Sequence, residues 1–330
     1  MYNIVVLGAT GNVGRRMLAT LIERKIPIKN LVALASERSA GSEIEYFNGK
    51  KITVQNLYDF DFNGIDVVLS SAGSKVISEV ADKITEAGAI IIDNSSHFRY
   101  DPEIPLIVPE VNPGDLPMYK NKNIIANPNC STIQMVVALK PLHDAFKVKR
   151  VVVSTYQAVS GAGKAGIDEL LAETKGSEVK NKIFSKQIGF NVIPHIDVFM
   201  ESNSTKEEWK MTVETQKILD TNIKVHANCA RIPVVNGHSE YVNIETELPI
   251  DEQSARQALE SAPGIKVLDS KGYATPVEIS GTDDVFISRL RKDLSVGHGL
   301  SFWCVADNLR KGAALNAVQI LELLIKSRFE

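Results

Sequence analysis

The chain has 330 residues, enough for one large or two medium domains, and its 44% hydrophobic and 23% charged residues are those of an ordinary globular protein. A formal net charge of −3 gives no global field toward nucleic acid or a membrane surface, so an anionic ligand needs locally placed Arg and Lys. Cys130, Cys229 and Cys304 are too few and too scattered for a disulfide framework or a zinc site, and they fit a reducing compartment.

The sequence opens on an apolar strand, MYNIVVLG, without the basic stretch of a secretory leader. No apolar run reaches the roughly 20 residues that span a bilayer. A cytoplasmic protein with no membrane or nucleic-acid partner is expected. After the first strand at 4–7, further strands are predicted at 31–35, 67–70 and 89–93, and 14–24 and 75–87 carry apolar residues at helical spacing. This alternation predicts an α/β, Rossmann-like doubly wound parallel sheet with its ligand at the carboxyl ends of the strands.

Gly8-Ala9-Thr10-Gly11-Asn12-Val13-Gly14 follows the first strand and opens the first helix. Glycines there allow a tight turn and a close backbone approach to a pyrophosphate, and the helix N-terminus adds positive partial charge. The spacing is GxxGxxG rather than GxGxxG, so the place in the fold carries the inference of dinucleotide binding by Gly8, Thr10, Gly11, Asn12 and Val13. The second strand ends in Ala35-Ser36-Glu37-Arg38-Ser39. Ser36, Arg38 and Ser39 suit a 2′-phosphate and favour NADP, whereas Glu37 is placed to take ribose hydroxyls instead.

Asn127-Pro128-Asn129-Cys130-Ser131-Thr132 precedes a helical pattern over 133–146. Pro128 sets the helix start near Cys130, where the helix dipole favours the thiolate. Backbone N–H groups of the first turn, helped by the Asn129 amide, are candidate oxyanion donors. Cys229 and Cys304 lie in β-forming stretches and read as small buried hydrophobes.

Beyond Lys149 the character changes. Residues 150–156 are strongly β-forming, 241–248 alternate like a half-covered strand, and 231–235 and 302–305 add short strands. Residues 173–186 form a hydrophilic, exposed excursion, and 312–325 an amphipathic helix. A second, α+β domain with a mixed or antiparallel sheet is predicted.

NPNCSTIQ, TYQAVSGAG, the Glu-Glu-Trp-Lys stretch, the spacing from Arg231 to His238 and the opening GATGNVG fall in one order along the chain. In that order they resemble the aspartate-semialdehyde dehydrogenases over essentially the whole length, nearer the shorter bacterial branch. The resemblance implies a NADP- and phosphate-dependent interconversion of L-aspartate 4-semialdehyde and 4-phospho-L-aspartate through a thioester on Cys130. The pathway context it implies is lysine (with diaminopimelate), threonine and methionine biosynthesis. It makes Cys130 the nucleophile with Asn129 beside it, His238 the general acid/base and Gln157 a residue that orients the substrate. It makes Arg231 the carboxylate clamp and Arg99 and Lys210 the phosphate site. Glu207 becomes the partner of the substrate amine, with Glu208 as the one-residue alternative. As a plain helical i, i+3 pair, Glu207 and Lys210 would otherwise be an ordinary surface ion pair.

Ala72, Gly73, Ser160, Gly161 and Asn308 become further cofactor contacts by the same resemblance. It also implies a nucleotide-binding domain over 1–130, rejoined by 311–330, and a catalytic and dimerisation domain over 131–310. A homodimer is expected, with a tetramer as the larger assembly, and no metal. His97, His143, His195, His226 and His298 receive no role. The chain departs from the longer members in its brief segment between Gly163 and Ile193. N-acetyl-γ-glutamyl-phosphate reductases share this chemistry but show Gly-Cys-Tyr-Pro-Thr where this chain has Pro128-Asn129-Cys130-Ser131-Thr132. A non-catalytic dinucleotide-binding protein would have no need of Cys130, Gln157, Arg231 and His238 together.

Overall fold

The apolar run Tyr2–Leu7 forms β1, and all but one of its residues are buried, as a strand covered on both faces requires. The computed structural model describes residues 1–269 and 271–327. It divides into two units, one of Met1–Pro128 with the stretch from Ala313 onward, the other of Asn129–Gly312.

In the first unit β1 leads into α1 (Asn12–Glu23), which buries Met17, Leu18 and Leu21 at helical spacing. Then follow β2 (Ile28–Ala35), β3 (Glu43–Phe47), β4 (Lys50–Asn56), β5 (Val67–Ser70), α2 (Ser74–Glu86), β6 (Ile90–Asp93) and β7 (Ile124–Ala126). The strand order is β3-β4-β2-β1-β5-β6-β7, parallel except for β3. The chain leaves β1 toward β2 on one side and resumes at β5 on the other, so the switch point of the sheet lies between β1 and β5. The β3–β4 hairpin is absent from the sequence-based expectation. Its turn is Asn48-Gly49, both at positive φ, a pairing that marks a tight hairpin. The C-terminal helix, Leu315–Ser327, closes this unit by adding Ala317, Val318, Leu321 and Leu324 to the core that contains Leu18 and Leu21. Its Glu322 accepts both a 2.9 Å and a 2.7 Å bond from Arg24.

The second unit contains α3 (Cys130–Phe146), β8 (Val148–Gln157), α4 (Lys164–Thr174), α5 (Lys206–Ile218), β9 (Lys224–Arg231) and β10 (His238–Thr246). It continues with α6 (Glu252–Glu260), β11 (Ile265–Val267), α7 (Pro276–Ile279), β12 (Val285–Lys292) and β13 (Gly299–Ala306). The sheet order is β11-β12-β13-β10-β8-β9; β8–β9 and β11–β12 run parallel and the other pairs antiparallel. This is the mixed sheet expected of an α+β domain. One face is covered by α3, every residue of which from Ser131 to Leu139 is buried.

Two boundaries differ from the sequence expectation in ways that matter for the site. The strand predicted at 231–235 instead spans Lys224–Arg231 and ends at Arg231. Pro233 cannot donate to a ladder, and Val234 and Val235 accept from Val159 and Ser160 as a loop. The strand predicted at 241–248 begins earlier, so His238 is its first residue rather than part of a loop. Among the described residues no helix is long and apolar enough to cross a membrane.

Candidate active site

Strand register places the second unit's polar residues. Gln157 pairs with Arg231 across β8–β9, and His238 stands one step beyond the pair Ser239–Tyr156 of β10–β8. Arg231, Gln157 and His238 therefore form a row across three adjacent strands on the face covered by α3. All three are buried, and His238 is 0% exposed. Gly161 is what lets two of them approach. A Cβ there would lie 2.9 Å from Nη1 of Arg231 and 3.2 Å from Nε2 of His238.

His238 is locked as a particular tautomer. The Ala158 N–H donates to its Nδ1 at 3.1 Å, so the ring proton of the neutral imidazole sits on Nε2. Nε2 is buried without a hydrogen-bond partner among the described residues, so its proton faces the site. Burial, and secondarily the Arg231 charge, hold this imidazole well below its ordinary range. Arg231 itself donates from Nη1 to the Ala158 carbonyl at 2.8 Å, and Phe184 lies 6.0 Å beneath its guanidinium. One residue, Ala158, thus orients both side chains through its N–H and C=O.

Cys130 is the first residue of α3, as its neighbours predict. Three of the donors expected at an oxyanion are already engaged, however. The Asn129 Oδ1 caps the helix by accepting from Ser131 N at 3.0 Å and Thr132 N at 3.2 Å. Those two amides are committed to the cap. The Asn129 amide nitrogen is committed as well, donating to Glu207 Oε1 at 2.9 Å. The close fit around Cys130 depends on Gly312, where a Cβ would come within 2.9 Å of the Cys130 Cβ. Its thiolate is near enough to Arg231 for the two charges to couple. Cys229 and Cys304 are buried, and desolvation raises both thiols above their ordinary range, which makes them inert packing residues.

α5 begins with a capping box in which Thr205 and Glu208 satisfy each other's backbone amides. That box engages Glu208 Oε2 with the Thr205 amide while its Oε1 accepts from Cys229 N at 3.1 Å, and Glu207, one residue earlier, faces Asn129 and Gln157. Glu207 Oε1 accepts from Gln157 Nε2 at 3.0 Å as well as from Asn129, and Oε2 accepts from Lys210 at 3.3 Å. Burial works against this carboxylate, but Lys210, Gln157, Asn129 and Arg231 together hold it below its ordinary value. Glu207 and Lys210 share one helix face as the spacing requires, yet Glu207 is 4% exposed, so the pair is not a surface one. Lys210 also meets Asp197 at 2.5 Å.

A cleft of about 390 Å³ opens beside Arg231, lined among others by Ala162, Phe184, His195 and Asp197. Its wall has no regular structure. Glu169 and Glu173, one turn apart on α4, hold it by accepting from the amides of Ile183, Phe184, Ile188 and Gly189. Ser160 and Asn308 are joined at 2.9 Å, and Asn308 Oδ1 accepts from Gly237 N at 2.8 Å, fixing the turn that precedes His238.

The first unit holds the other expected residues. Gly8 has φ +78°, and a Cβ there would lie 2.8 Å from Ser71 Oγ and 3.0 Å from Ala72 N. Gly14 has less room still, with its Cβ 2.3 Å from the Gly8 carbonyl. Gly11 and Gly73 are the N-caps of α1 and α2 and offer no capping side chain, so the helix ends face the switch point of the sheet uncovered by side chains. The Asn12 amide nitrogen is buried without a partner. Thr10 and Val13 lie in the same turn; Ser36, Glu37 and Arg38 are exposed just past β2, with Ser39 half-buried. This cradle of glycines and unsatisfied donors fits the pyrophosphate of a dinucleotide. Arg99 is buried in this unit and donates to the Asn94 carbonyl at 2.8 Å.

Two family models match the chain, the NAD binding domain of semialdehyde dehydrogenases over residues 3–118 and their dimerisation domain over 139–311. An aspartate-semialdehyde dehydrogenase from Aquifex aeolicus is 54% identical, with 98% of each chain covered. The crystal structure of aspartate semialdehyde dehydrogenase II from Vibrio cholerae is 50% identical and superposes with a TM-score of 0.96 over 99% of both chains; a second structure of that protein is complexed with ASA. An aspartate semialdehyde dehydrogenase with NADP from Candida albicans is 26% identical, with a TM-score of 0.77 over 98% of both chains. A nicotinamide-binding sheet and a half-buried cysteine beside a buried histidine and arginine, in a chain half identical to these enzymes end to end, have one source: the chain belongs to the aspartate-semialdehyde dehydrogenase family.

Proposed function

We propose that the chain interconverts L-aspartate 4-semialdehyde and 4-phospho-L-aspartate with NADP and inorganic phosphate, through a thioester on Cys130. The observation that carries this is the row Arg231, Gln157 and His238 beside a cysteine at a helix N-terminus. In the oxidative direction the Cys130 thiolate attacks the aldehyde carbon and the carbonyl oxygen becomes an oxyanion. His238 offers its Nε2–H to that oxygen; Nδ1 is already engaged by Ala158. A neutral imidazole therefore enters as a donor, and burial keeps it neutral. A nicotinamide cofactor would supply the hydride acceptor; Gly8, Thr10, Gly11, Asn12, Val13, Ala72 and Gly73 would hold it in the first unit, and Ser160, Gly161 and Asn308 are assigned to it by the family resemblance. As the carbonyl re-forms, the acyl group remains on the Cys130 sulfur. Phosphate then attacks the acyl carbon, the C–S bond breaks, Cys130 leaves as thiolate, and the phosphate proton passes to solvent.

Arg231 clamps the substrate carboxylate and Glu207 takes its amine, which explains why a carboxylate is kept ionised in a buried site. Gln157 and Asn129 orient Glu207. Lys210 and Arg99 are assigned to phosphate, Lys210 exchanging Asp197 for the incoming anion. Ser36, Arg38 and Ser39 are assigned to the 2′-phosphate of NADP. The Vibrio cholerae complex with ASA and the Candida albicans structure with NADP support the substrate and the cofactor. The second unit makes the homodimer.

The test is reduction of NADP by aspartate semialdehyde with and without phosphate, with NAD in parallel. Turnover is expected with NADP and phosphate only, and Cys130→Ala is expected to lose on the order of 10⁴-fold or more, as nucleophile removal does elsewhere. Turnover without phosphate, or in Cys130→Ala, overturns the thioester route.

A further inference from the structure

Directly behind the row of Arg231, Gln157 and His238 lies a second row on the same sheet face: Cys229, Thr155, Glu240 and Cys304. Glu240 is 0% exposed, and neither of its carboxyl oxygens has a hydrogen-bond partner when it is treated as an ionised acceptor. The side chain facing it is Gln134 of α3, one helical turn beyond Cys130. Gln134 is not free to turn its amine toward Glu240, because its Nε2 donates to the His238 carbonyl at 3.2 Å. Its Oε1 is therefore the atom left over, and it too is buried without a partner. Two buried acceptors facing one another are each costly alone. One proton satisfies both.

We propose that Glu240 is a permanently neutral carboxylic acid that donates to Gln134 Oε1, and that Glu240 and Gln134 together are positioning residues fixing the Cys130 helix to the His238 strand. Gln134 then bonds β10 at two points, the His238 carbonyl and the Glu240 carboxyl, and ties the turn after the nucleophile to the strand that starts with the histidine. The surroundings agree. Desolvation raises the Glu240 carboxyl well above its ordinary range, outweighing the lowering effect of the Gln134 amide beside it, and the Glu207 carboxylate adds repulsion. The other titratable neighbours are Cys304 across the strand pair and Cys229 in the same row, both thiols pushed up by burial, and His238 two residues along the strand. The kinetic part of this inference rests on Cys130 and His238 being the reacting pair.

The first arm does not depend on that reading. Infrared difference spectra between the wild-type protein and Glu240→Gln at mildly alkaline pH should show the carbonyl stretch of a protonated carboxyl in the wild type alone. Absence of that band overturns the proposal. In the second arm Glu240→Leu, which cannot bond Gln134, should lower kcat between about ten- and a hundred-fold with KM little changed, because geometry at the reacting atoms is lost. Glu240→Gln can donate its amide to the same oxygen and should retain most of kcat. If Glu240→Gln falls as far as Glu240→Leu, the positioning role is wrong. Should Glu240→Leu fail to fold, Gln134→Met makes the same cut from the helix side and should give the same loss; full kcat in that variant also overturns it. The rate of Cys130 alkylation by iodoacetamide in each variant reports the nucleophile directly, and should follow kcat even if the enzyme prefers a different aldehyde.

Discussion

The nucleotide turn of the first unit and the reacting cluster of the second solve the same problem, holding an anionic ligand in a protein of near-neutral charge, by opposite means. The turn at Gly8, Gly11 and Gly14 uses missing side chains and backbone N–H groups, and much of its surface is open. The cluster around Glu207, Arg231 and His238 uses ionisable side chains that are 4%, 6% and 0% exposed. A backbone site is specified by a few consecutive residues. A side-chain site is specified by strand register, by caps and by second contacts contributed from several separate stretches of chain. The difference teaches that the turn fails by steric filling, whereas the cluster fails by small losses of aim.

The largest expected effect comes from filling the gap inside the cluster. Gly161→Ala puts a methyl group 2.9 Å from Arg231 Nη1 and 3.2 Å from His238, and should lower kcat/KM by about a hundred-fold with thermal stability nearly unchanged. Ordinary turnover in that variant would show that the two side chains need no such closeness. Next in size is the corresponding filling of the turn. Gly14→Ala forces a Cβ to 2.3 Å from the Gly8 carbonyl and should destabilise the protein by about 2 kcal/mol, seen as a lowered denaturant midpoint, despite the better helix propensity of Ala. An unchanged midpoint would mean that the turn yields.

The third prediction separates the regions by pH. The Glu240 carboxyl is raised above its ordinary 4.5, so above that pH the folded protein retains a proton which the unfolded chain releases. Its contribution falls as pH rises, at up to about 1.4 kcal/mol per unit. Glu240→Gln escapes this loss, so its stability relative to wild type should improve steadily above pH 4.5; a constant gap sinks the assignment. His238 acts in the opposite sense. Held below 6.5, it refuses a proton that the unfolded chain accepts, and its contribution is lost as pH falls below that value. The smallest effect belongs to the open region. Arg38→Ala removes one exposed cation and should raise KM for NADP about five-fold while leaving NAD unchanged. Equal loss with both cofactors would assign the ribose to Glu37 instead.

How much of this was legible in the sequence follows from the same contrast. The doubly wound sheet, the glycine turn and the start of α3 at Cys130 were readable because consecutive residues dictate them. The β3–β4 hairpin had a local signal, Asn48-Gly49, that went unused. His238, Arg231 and Glu207 were named only through resemblance. No local pattern tells a histidine opening a buried strand from one in a loop, and the strand itself was placed too late by three residues. Glu207 and Glu208 differ through contacts distant in sequence: Glu208 closes the capping box with Thr205, and Glu207 meets Asn129 and Gln157. Ala158 and Gly312 carry no chemical signal at all. Their part lies in a backbone amide, a carbonyl and a missing methyl group.

The pair Glu169 and Glu173 has a consequence for how such a chain tolerates change. They grip the loop at 183–184 and again at 188–189. What is anchored is two points of attachment, and the path that leads to them through 178–182 is neither helix nor strand. Residues can be added to or removed from that span while Phe184 stays beneath Arg231, so the mouth of the cleft can be remodelled without moving the side chains behind it.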